Sequence, residues 1–439
     1  MKNVSFVREA ELRYDVDVLV VGGGPAGCAA AVMAARQGAS VLVVDAAACF
    51  GGLGAAAMIP AFMPFGDEKA FCADGFGREI ANRIIQIGGK SDDEPPYGFS
   101  IRVEALKRAY EDILQEAGVQ ILLHAQAIGL EMDGSKITHV VFNAKSGLFA
   151  ARAKVYVDGS GDADLAAWAG APYEKGDENG NLMAGTLCSI YTGIDWKRVQ
   201  PLPQNRRIEE AYNDGVFTTL DKHLPGFWKI SDTLGGGNIG HTFGVDPLDE
   251  ASMTKAIVYG RRLVTEYERY YREYLPGHES MELVVTGYAL GIRESRRIVG
   301  DYVLVLDDFI NQSVFKDEIG RYNYPVDIHA SDDSNEEYES YHKGITTYRY
   351  KAGENYGIPY RVLLPKGVEN LLVAGKTVSA DRAMQSSIRV MPGCYITGQA
   401  AGTAAAMAAK GDGGVRGIDI RGLQSSLKNA GAYLPNYAG

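Results

Sequence analysis

The sequence predicts an α/β protein: a parallel-sheet domain built from both ends of the chain (residues 1–174 and 355–439), interrupted by an inserted α+β domain (175–354). Three observations predict it. Residues 16–45 read strand, glycine turn, helix, strand within the length of one βαβ unit. The alanine- and glycine-rich helical texture after Gly27 returns at 395–410, just beyond an apolar strand at 371–374. Between them, from about residue 175, tyrosines become frequent and the strand–helix rhythm stops. With 439 residues, 46% hydrophobic and 23% charged, the chain has ample apolar mass for such a core and is too apolar to be disordered.

The elements follow in order. Residues 16–21 (VDVLVV) form a short apolar, β-branched strand, and glycines follow at once. Residues 28–37 have helical composition, and Gly38 suits the C-cap. A second strand at 40–44 ends on Asp45. Residues 91–96 (SDDEPP) read as an exposed loop, and 101–117 as a helix closed by Gly118. Three further strands are expected at 119–123, 137–142 and 153–157, the last running into Asp158-Gly-Ser-Gly-Asp162. In the inserted part, 251–274 reads as one helix stopped by Pro276, and the acidic run 331–340 as a solvated loop or lid edge. After the strand at 371–374, the helix at 395–410 carries Gly398 and Gly402 for close packing.

Gly22-x-Gly24-x-x-Gly27 carries the strongest chemical signal. The first glycine makes the tight turn, the second lets backbone approach a pyrophosphate, and the third lets helix pack on strand. The helix N-terminus then offers N–H donors and partial positive charge to a phosphate. Asp45, at the end of the next strand, is spaced to accept hydrogen bonds from an adenosine ribose. A second Gly235-x-Gly237-x-x-Gly240 is not followed by a helical pattern, so it reads as a glycine-rich strand or turn lining the inserted domain. Gly375-Lys376-Thr377 lacks the upstream glycine of a Walker loop, since position 370 is Asn370.

Other classes are excluded or disfavoured. A net charge of −11 makes a poor general binder of nucleic acid or anionic membrane. The five cysteines are scattered without a C-x-x-C pair, so neither a disulfide framework nor a zinc knuckle is expected. No two of the seven histidines have ligand spacing, and no metal is expected. The N-terminus lacks an apolar signal-peptide core, and no apolar run reaches the length of a membrane span; the expectation is a cytoplasmic protein.

Taken together, VLVVGGGPAGCAAAVMAARQG (18–38), Asp45, CFGGLG (49–54), DGSGDADLAAWAG (158–170), GIRESRRIVGDYVL (291–304) and residues 371–406 resemble the FAD-dependent oxidoreductase family of bacterial flavoproteins. That family shares the Rossmann-like fold of glutathione-reductase-like and fumarate-reductase-like proteins, and the resemblance covers nearly the whole chain. It implies that Gly22, Gly24, Pro25, Ala26 and Gly27 contact the FAD pyrophosphate and that Asp45, where many relatives carry Glu, holds the ribose. Gly51 and Gly52 would lie beside the flavin, Ala127 would meet adenine through its backbone, and Asp162 would face the ribityl or pyrophosphate region. Gly375 and residues 389–394, among them Met391 and Gly393, would sit near the ring. The helix after Pro392 would aim its N-terminus at the flavin, where it stabilises negative charge on the reduced ring. The stretch GGLGAAAMIPAF has no histidine tether, so FAD is expected to be non-covalent, and Cys49 has no partner for disulfide reduction.

The resemblance implies hydride transfer at flavin N5 to or from a small polar substrate, anionic or polyhydroxylated, with an unidentified electron partner. A flavoprotein subunit of an electron-transfer complex is the alternative, and there is room for a homodimer. The candidate catalytic residues are His241 for the proton and Arg293, Arg296 and Arg389 for an anionic group. In extended chain Arg293 and Arg297 share a face that Arg296 opposes; in a helix all three share one. Salt bridges of this cluster to Glu294 or Asp301 remain an equal reading.

Overall fold

The computed structural model describes residues 7–89, 98–199, 207–222 and 226–437, so the loop expected at 91–96 lies outside the described residues. Its main sheet takes six strands from the first part of the chain: β1 (Glu11–Val21), β2 (Val41–Val44), β3 (Gln120–Leu122), β4 (Gln126–Asp133), β5 (Lys136–Ala144) and β6 (Gly147–Asp158), in the order β3-β2-β1-β6-β5-β4. β1 pairs β2 and β6 in parallel, with Val18 beside Val41 and Val155. The long strand β6 shares its other edge. Residues 147–151 pair antiparallel with β5, and residues 156–158 pair in parallel with Leu371–Val373 from the far end of the chain. The C-terminal ends of β1, β2, β6 and Leu371–Val373 therefore open on one crevice, where open α/β sheets bind ligands.

Alternation along the strands explains why this sheet is buried on both faces. Val18, Val20, Val41, Val43, Val155 and Val157 pack into one apolar core, and Leu19, Val21, Leu42, Val44 and Tyr156 into the other. The first core also receives α1 (Pro25–Arg36) and the helix Met391–Ala409. These two helices approach to backbone contact: a Cβ on Gly398 would lie 2.3 Å from the Ala26 carbonyl oxygen, and one on Gly402 2.0 Å from that of Ala30. That is the packing expected from the small-residue texture. The helix begins one turn earlier than its alanine run, at Met391, with Pro392 in the first turn.

The middle of the chain forms a four-stranded antiparallel sheet in the order Glu282–Thr286, Ser189–Thr192, Gly235–Asn238, Gly226–Lys229. The second glycine motif is thus an inner strand, and a Cβ on Gly236 would meet Pro60 at 2.3 Å. Helix Glu250–Tyr274 packs on this sheet through Leu263, Tyr267, Tyr270 and Tyr271, capped by Asp249, which accepts from the Ala251 and Ser252 N–H groups. Leu304, Phe309, Ile319 and Tyr322, which the sequence reading puts in the insertion, pack into the first core.

One expectation is corrected. The acidic run 331–340 is not all loop: a helix spans Asn335–Thr347. Ser334 caps it by accepting from Glu337 N–H, while the Glu337 carboxylate accepts from Ser331. This Ser-x-x-Glu start is a helix signal that outweighs the charge of the run. No residue of the helix is buried, so the solvated character holds.

Candidate active site

The sheet crevice continues into a cavity between the glycine turn and the inserted part. Gly22, at φ +97°, closes the turn after β1, where a Cβ would lie 2.3 Å from the Gly159 carbonyl oxygen. Gly27 is equally constrained, its Cβ direction ending 1.8 Å from the Gly22 carbonyl oxygen. Gly24 differs: a Cβ there meets nothing nearer than Gly52 Cα at 3.8 Å, and the residue borders the cavity with Pro25 and Ala26. Two glycines are therefore required by packing and the middle one by the space in front of it. The first turn of α1 has no side-chain cap, so its N–H groups remain for a ligand.

Asp45 closes this wall. One carboxylate oxygen accepts from Gly23 N–H at 2.6 Å and the other from Ala47 N–H at 2.7 Å. Burial nevertheless raises its pKa, outweighing those two bonds. Gly51 N–H donates to Gly23 carbonyl, and Gly52 begins α2 (Gly52–Ala56) at the cavity edge. On the next strand end, Asp158 accepts from Ser160 and Ala166 N–H and from the Ser160 hydroxyl. Burial pushes Asp158 up to about 6 against those bonds. Asp162 lines the cavity and meets Lys376 Nζ at 3.3 Å. Gly375 and Met391 line it from the far end of the chain, and the helix N-terminus at Val390, also without a side-chain cap, points its first turn here.

The other expected cofactor positions stand back from the cavity. Gly22, Gly27 and Gly51 shape the turns. Gly393 sits inside its helix turn, where a Cβ would lie 2.3 Å from the Ile388 carbonyl oxygen. Ala127 is in β4 and packs on the second core.

The opposite wall carries side-chain charge. Arg293 lies in a stretch without helix or strand, and strand Arg296–Ile298 follows. Arg293, buried, donates to the Ala184 carbonyl at 2.6 Å, Thr186 Oγ1 at 3.0 Å and Asn238 Oδ1 at 3.4 Å, all neutral acceptors. Burial and then the charge of Arg389 lower its guanidinium to about 10. Arg389, between helices Arg382–Ile388 and Met391–Ala409, donates to the Asp327 carboxylate and carbonyl, both at 3.1 Å. Its Nε is buried with no hydrogen-bond partner among the described residues. Burial would raise Asp327, but His329, Arg389 and Arg293 together hold its carboxyl well below the usual range.

The remaining candidates separate. Arg296 does not line the cavity; it donates to the Asp162 carbonyl and to Asp164, both at 2.9 Å, and braces the 158–164 turn. Arg297 pairs with Glu294 at 2.7 Å, and Glu294 also accepts from Arg382 Nε and Met183 N–H, so this carboxylate anchors the loop bearing Arg293. Asp301 pairs instead with Arg416. Arg361 pairs with Asp317. Cys394 lines the cavity, its thiol pushed up to about 12 by burial.

His241 is buried but lies one side chain back from the cavity. Its Nε2 meets His329 Nδ1 at 3.1 Å, and it is His329 that lines the cavity beside Asp327. His329 was not singled out by the sequence reading. Asp327 and His329 stand two apart in a segment that is neither helix nor strand, and no local pattern marks either as a site residue. Among the described residues, no group of His, Cys, Asp and Glu could hold a metal ion.

The chain matches the family described as FAD dependent oxidoreductase across residues 17–427. It is 28% identical over 170 residues to a digeranylgeranylglycerophospholipid reductase of Methanocella arvoryzae, covering 36% of this chain and 43% of that protein. It is 27% identical over 199 residues to a menaquinone reductase of Mycobacterium tuberculosis, covering 41% and 46%. The chain thus matches less than half the length of these curated relatives. A geranylgeranyl bacteriochlorophyll reductase-like protein of Thermoplasma acidophilum is similar in structure, with TM-score 0.49 and 13% identity over 95% of this chain and 84% of that one. The cavity fits the family's cofactor on its own terms: open space in front of Gly24, two helix N-termini without a side-chain cap for anionic groups, and a carboxylate, Asp45, on its lining at the end of β2. Among the described residues, no helix is long and apolar enough to cross a membrane. The chain belongs to the FAD dependent oxidoreductase family.

Proposed function

We propose that this protein reduces an activated carbon–carbon double bond in an anionic substrate with an apolar body, by hydride transfer from flavin N5 of non-covalently bound FAD. Bound FAD supplies the hydride chemistry; the chain's own residues bind the pyrophosphate and ribose, hold the substrate and manage one proton.

The observation that carries the reading is the charge balance of the substrate wall. Two arginines, Arg293 and Arg389, border the cavity. Asp327 is their ionised neighbour there, Arg293 donates only to neutral groups, and Arg389 Nε is left without a partner among the described residues. Buried positive charge in excess is costly unless a ligand meets it. A carboxylate takes arginine bidentately, and the same pair stabilises enolate-like charge as hydride arrives. Met253, Leu290 and Ile292 add apolar surface to this wall beside Asn238, Tyr288 and Tyr324, which suits an aliphatic or aromatic body better than a polyhydroxylated one. His329, which lines the cavity beside Asp327, would deliver a proton to the neighbouring carbon. Arg296 is a positioning residue for the cofactor wall, and His241 acts through His329. The relatives named as reductases support the reductive direction. The same reading keeps the division into a discontinuous FAD-binding domain and an inserted substrate domain.

Anaerobic photoreduction of the bound flavin, followed by mixing with crotonate, fumarate and cinnamate, tests this. At least one enoate is expected to restore the oxidised absorbance much faster than air does. Fast return in air with none of the enoates effective overturns the reductase and points to an oxidase.

A further inference from the structure

We propose that Asp221, His241 and His329 form a proton relay joining the protein surface to the substrate end of the cavity. Four titratable side chains stand in line. Asp221 Oδ2 is 3.1 Å from His241 Nδ1, His241 Nε2 is 3.1 Å from His329 Nδ1, and His329 Nε2 is 3.4 Å from Asp327 Oδ1. The two rings are nearly perpendicular, at 82°. Both ends reach open space. Asp327 and His329 line the cavity. Asp221 lines a shallow surface hollow with Lys222, Asp332, Asp333 and Tyr338.

A neutral imidazole has one N–H donor and one bare acceptor nitrogen, so two rings in nitrogen-to-nitrogen contact form a directed N–H···N bridge. The relay follows from that asymmetry. When His329 Nε2 gives its proton to an acceptor in the cavity, His329 Nδ1 takes the His241 Nε2 proton. His241 Nδ1 then takes a proton that the Asp221 carboxylate picks up from surface water and passes on, so that Asp221 ends ionised as it began and hydroxide is released to solvent. At each link one bond to hydrogen breaks and one forms, so one proton moves inward and no charge is stranded in the interior. The groups facing this line are Arg389, Arg293, Tyr324 and Tyr341 around Asp327 and His329, and Lys222, Tyr267 and Tyr338 around Asp221. Arg389 and Arg293 keep Asp327 ionised, so it orients His329 without taking the proton away. An orienting role alone needs one imidazole and one carboxylate; the second imidazole and Asp221 only extend the line to the surface.

The relay rests on the cavity being the flavin and substrate site, but not on which substrate binds. Its test therefore uses FAD alone. The bound flavin is reduced by a light flash under anaerobic, weakly buffered conditions, and a pH-indicator dye follows proton uptake. Asp221→Asn and His241→Gln are expected to slow uptake about a hundredfold, the low end of acid–base effects, with flavin spectrum and melting temperature retained. Added formate, a small weak acid, is expected to restore the rate in Asp221→Asn. Histidine-labelled protein should also show nitrogen–nitrogen coupling across the His241–His329 bridge. Parental uptake rates in both variants, slow uptake in Asp221→Asn that formate leaves unchanged, or absence of the coupling would each overturn the relay. Should His241→Gln fail to fold, the near-isosteric Asp221→Asn and the coupling decide alone. Enoates that fail to reoxidise the flavin refute the substrate while leaving proton uptake as it was.

Discussion

The two walls of the cavity are made of different material. The wall from residues 22–27, 45–54 and 158–162 is backbone: glycine turns, strand ends and helix N-termini. The wall opposite is side chain: Arg293, the neighbours Asp327 and His329, and Arg389, from three separate segments and held by groups distant in sequence. A backbone wall tolerates almost no change of shape and carries little specificity. A side-chain wall can be rewritten residue by residue within one fold, which is how one cofactor serves many substrates.

The strongest way to break this contrast is at the glycines. Gly27→Ala puts a methyl 1.8 Å from the Gly22 carbonyl, where only backbone could yield. We expect a protein that fails to accumulate or melts far below the parent. Gly24→Ala meets no chain atom closer than 3.8 Å and should fold as the parent does, within about 0.5 kcal/mol. Its added methyl enters the cavity, so on the proposed reading FAD affinity should fall at least tenfold by flavin fluorescence titration. Equal melting of the two variants would remove the distinction between packing and ligand glycines.

On the side-chain wall the largest effect is expected away from the cavity. Glu294, fully buried, faces both Arg297 and Arg382. Glu294→Gln removes the buried carboxylate from two guanidinium groups, which keep only the longer contacts to Glu174 at 3.5 Å and Asp177 at 3.8 Å, and should cost about 3 kcal/mol in denaturant unfolding. Arg389→Gln should be milder in stability and sharper in function. FAD should remain bound while the second-order rate of reoxidation by the effective enoate falls about a hundredfold, near 3 kcal/mol for a lost charge-assisted pair. An unchanged rate would move the anion site off this wall.

The difference in material also governs how much was legible from sequence. β1, the glycine turn, α1, β2 and Asp45 could be read because each requirement is local: a β-branched run, three glycines at fixed spacing, an acid at a strand end. The packing of Met391–Ala409 on α1 showed in its glycines for the same reason. The strands Ser189–Thr192 and Glu282–Thr286 were missed; they are short, and Glu282–Thr286 is largely exposed, so neither carries a clear alternating pattern. His241 was noticed for its place among glycines, yet the ring that reaches the cavity is His329, 88 residues later. No spacing rule joins such a pair; only the fold does. Likewise the sequence could leave Arg296 and Arg293 as equals, because the choice between bracing the 158–164 turn and facing the substrate is made by tertiary contacts.

The smallest expected effect sets one aspartate from each wall against the other. Asp158, in the backbone wall, is raised by burial to about 6 from an unfolded value of 3.8. The native state therefore binds the extra proton between those values. Its contribution to stability is full below about 4 and is lost as pH rises through 6. Asp327, in the side-chain wall, is depressed by His329, Arg389 and Arg293, which together outweigh its burial. Its contribution is present above the unfolded value and fades only as pH falls below it. Asp158→Asn should accordingly gain on the parent between pH 4 and 7, by at most about 3 kcal/mol. Asp327→Asn should show a deficit at pH 4 that shrinks as the medium becomes more acidic. Asp45, also raised by burial, titrates alike in parent and variants and cancels from each difference. Urea unfolding at stepped pH reads both differences directly. Parallel slopes for the two variants would mean that the walls share one electrostatic environment, and the contrast between backbone cradle and charged wall would then be one of shape alone.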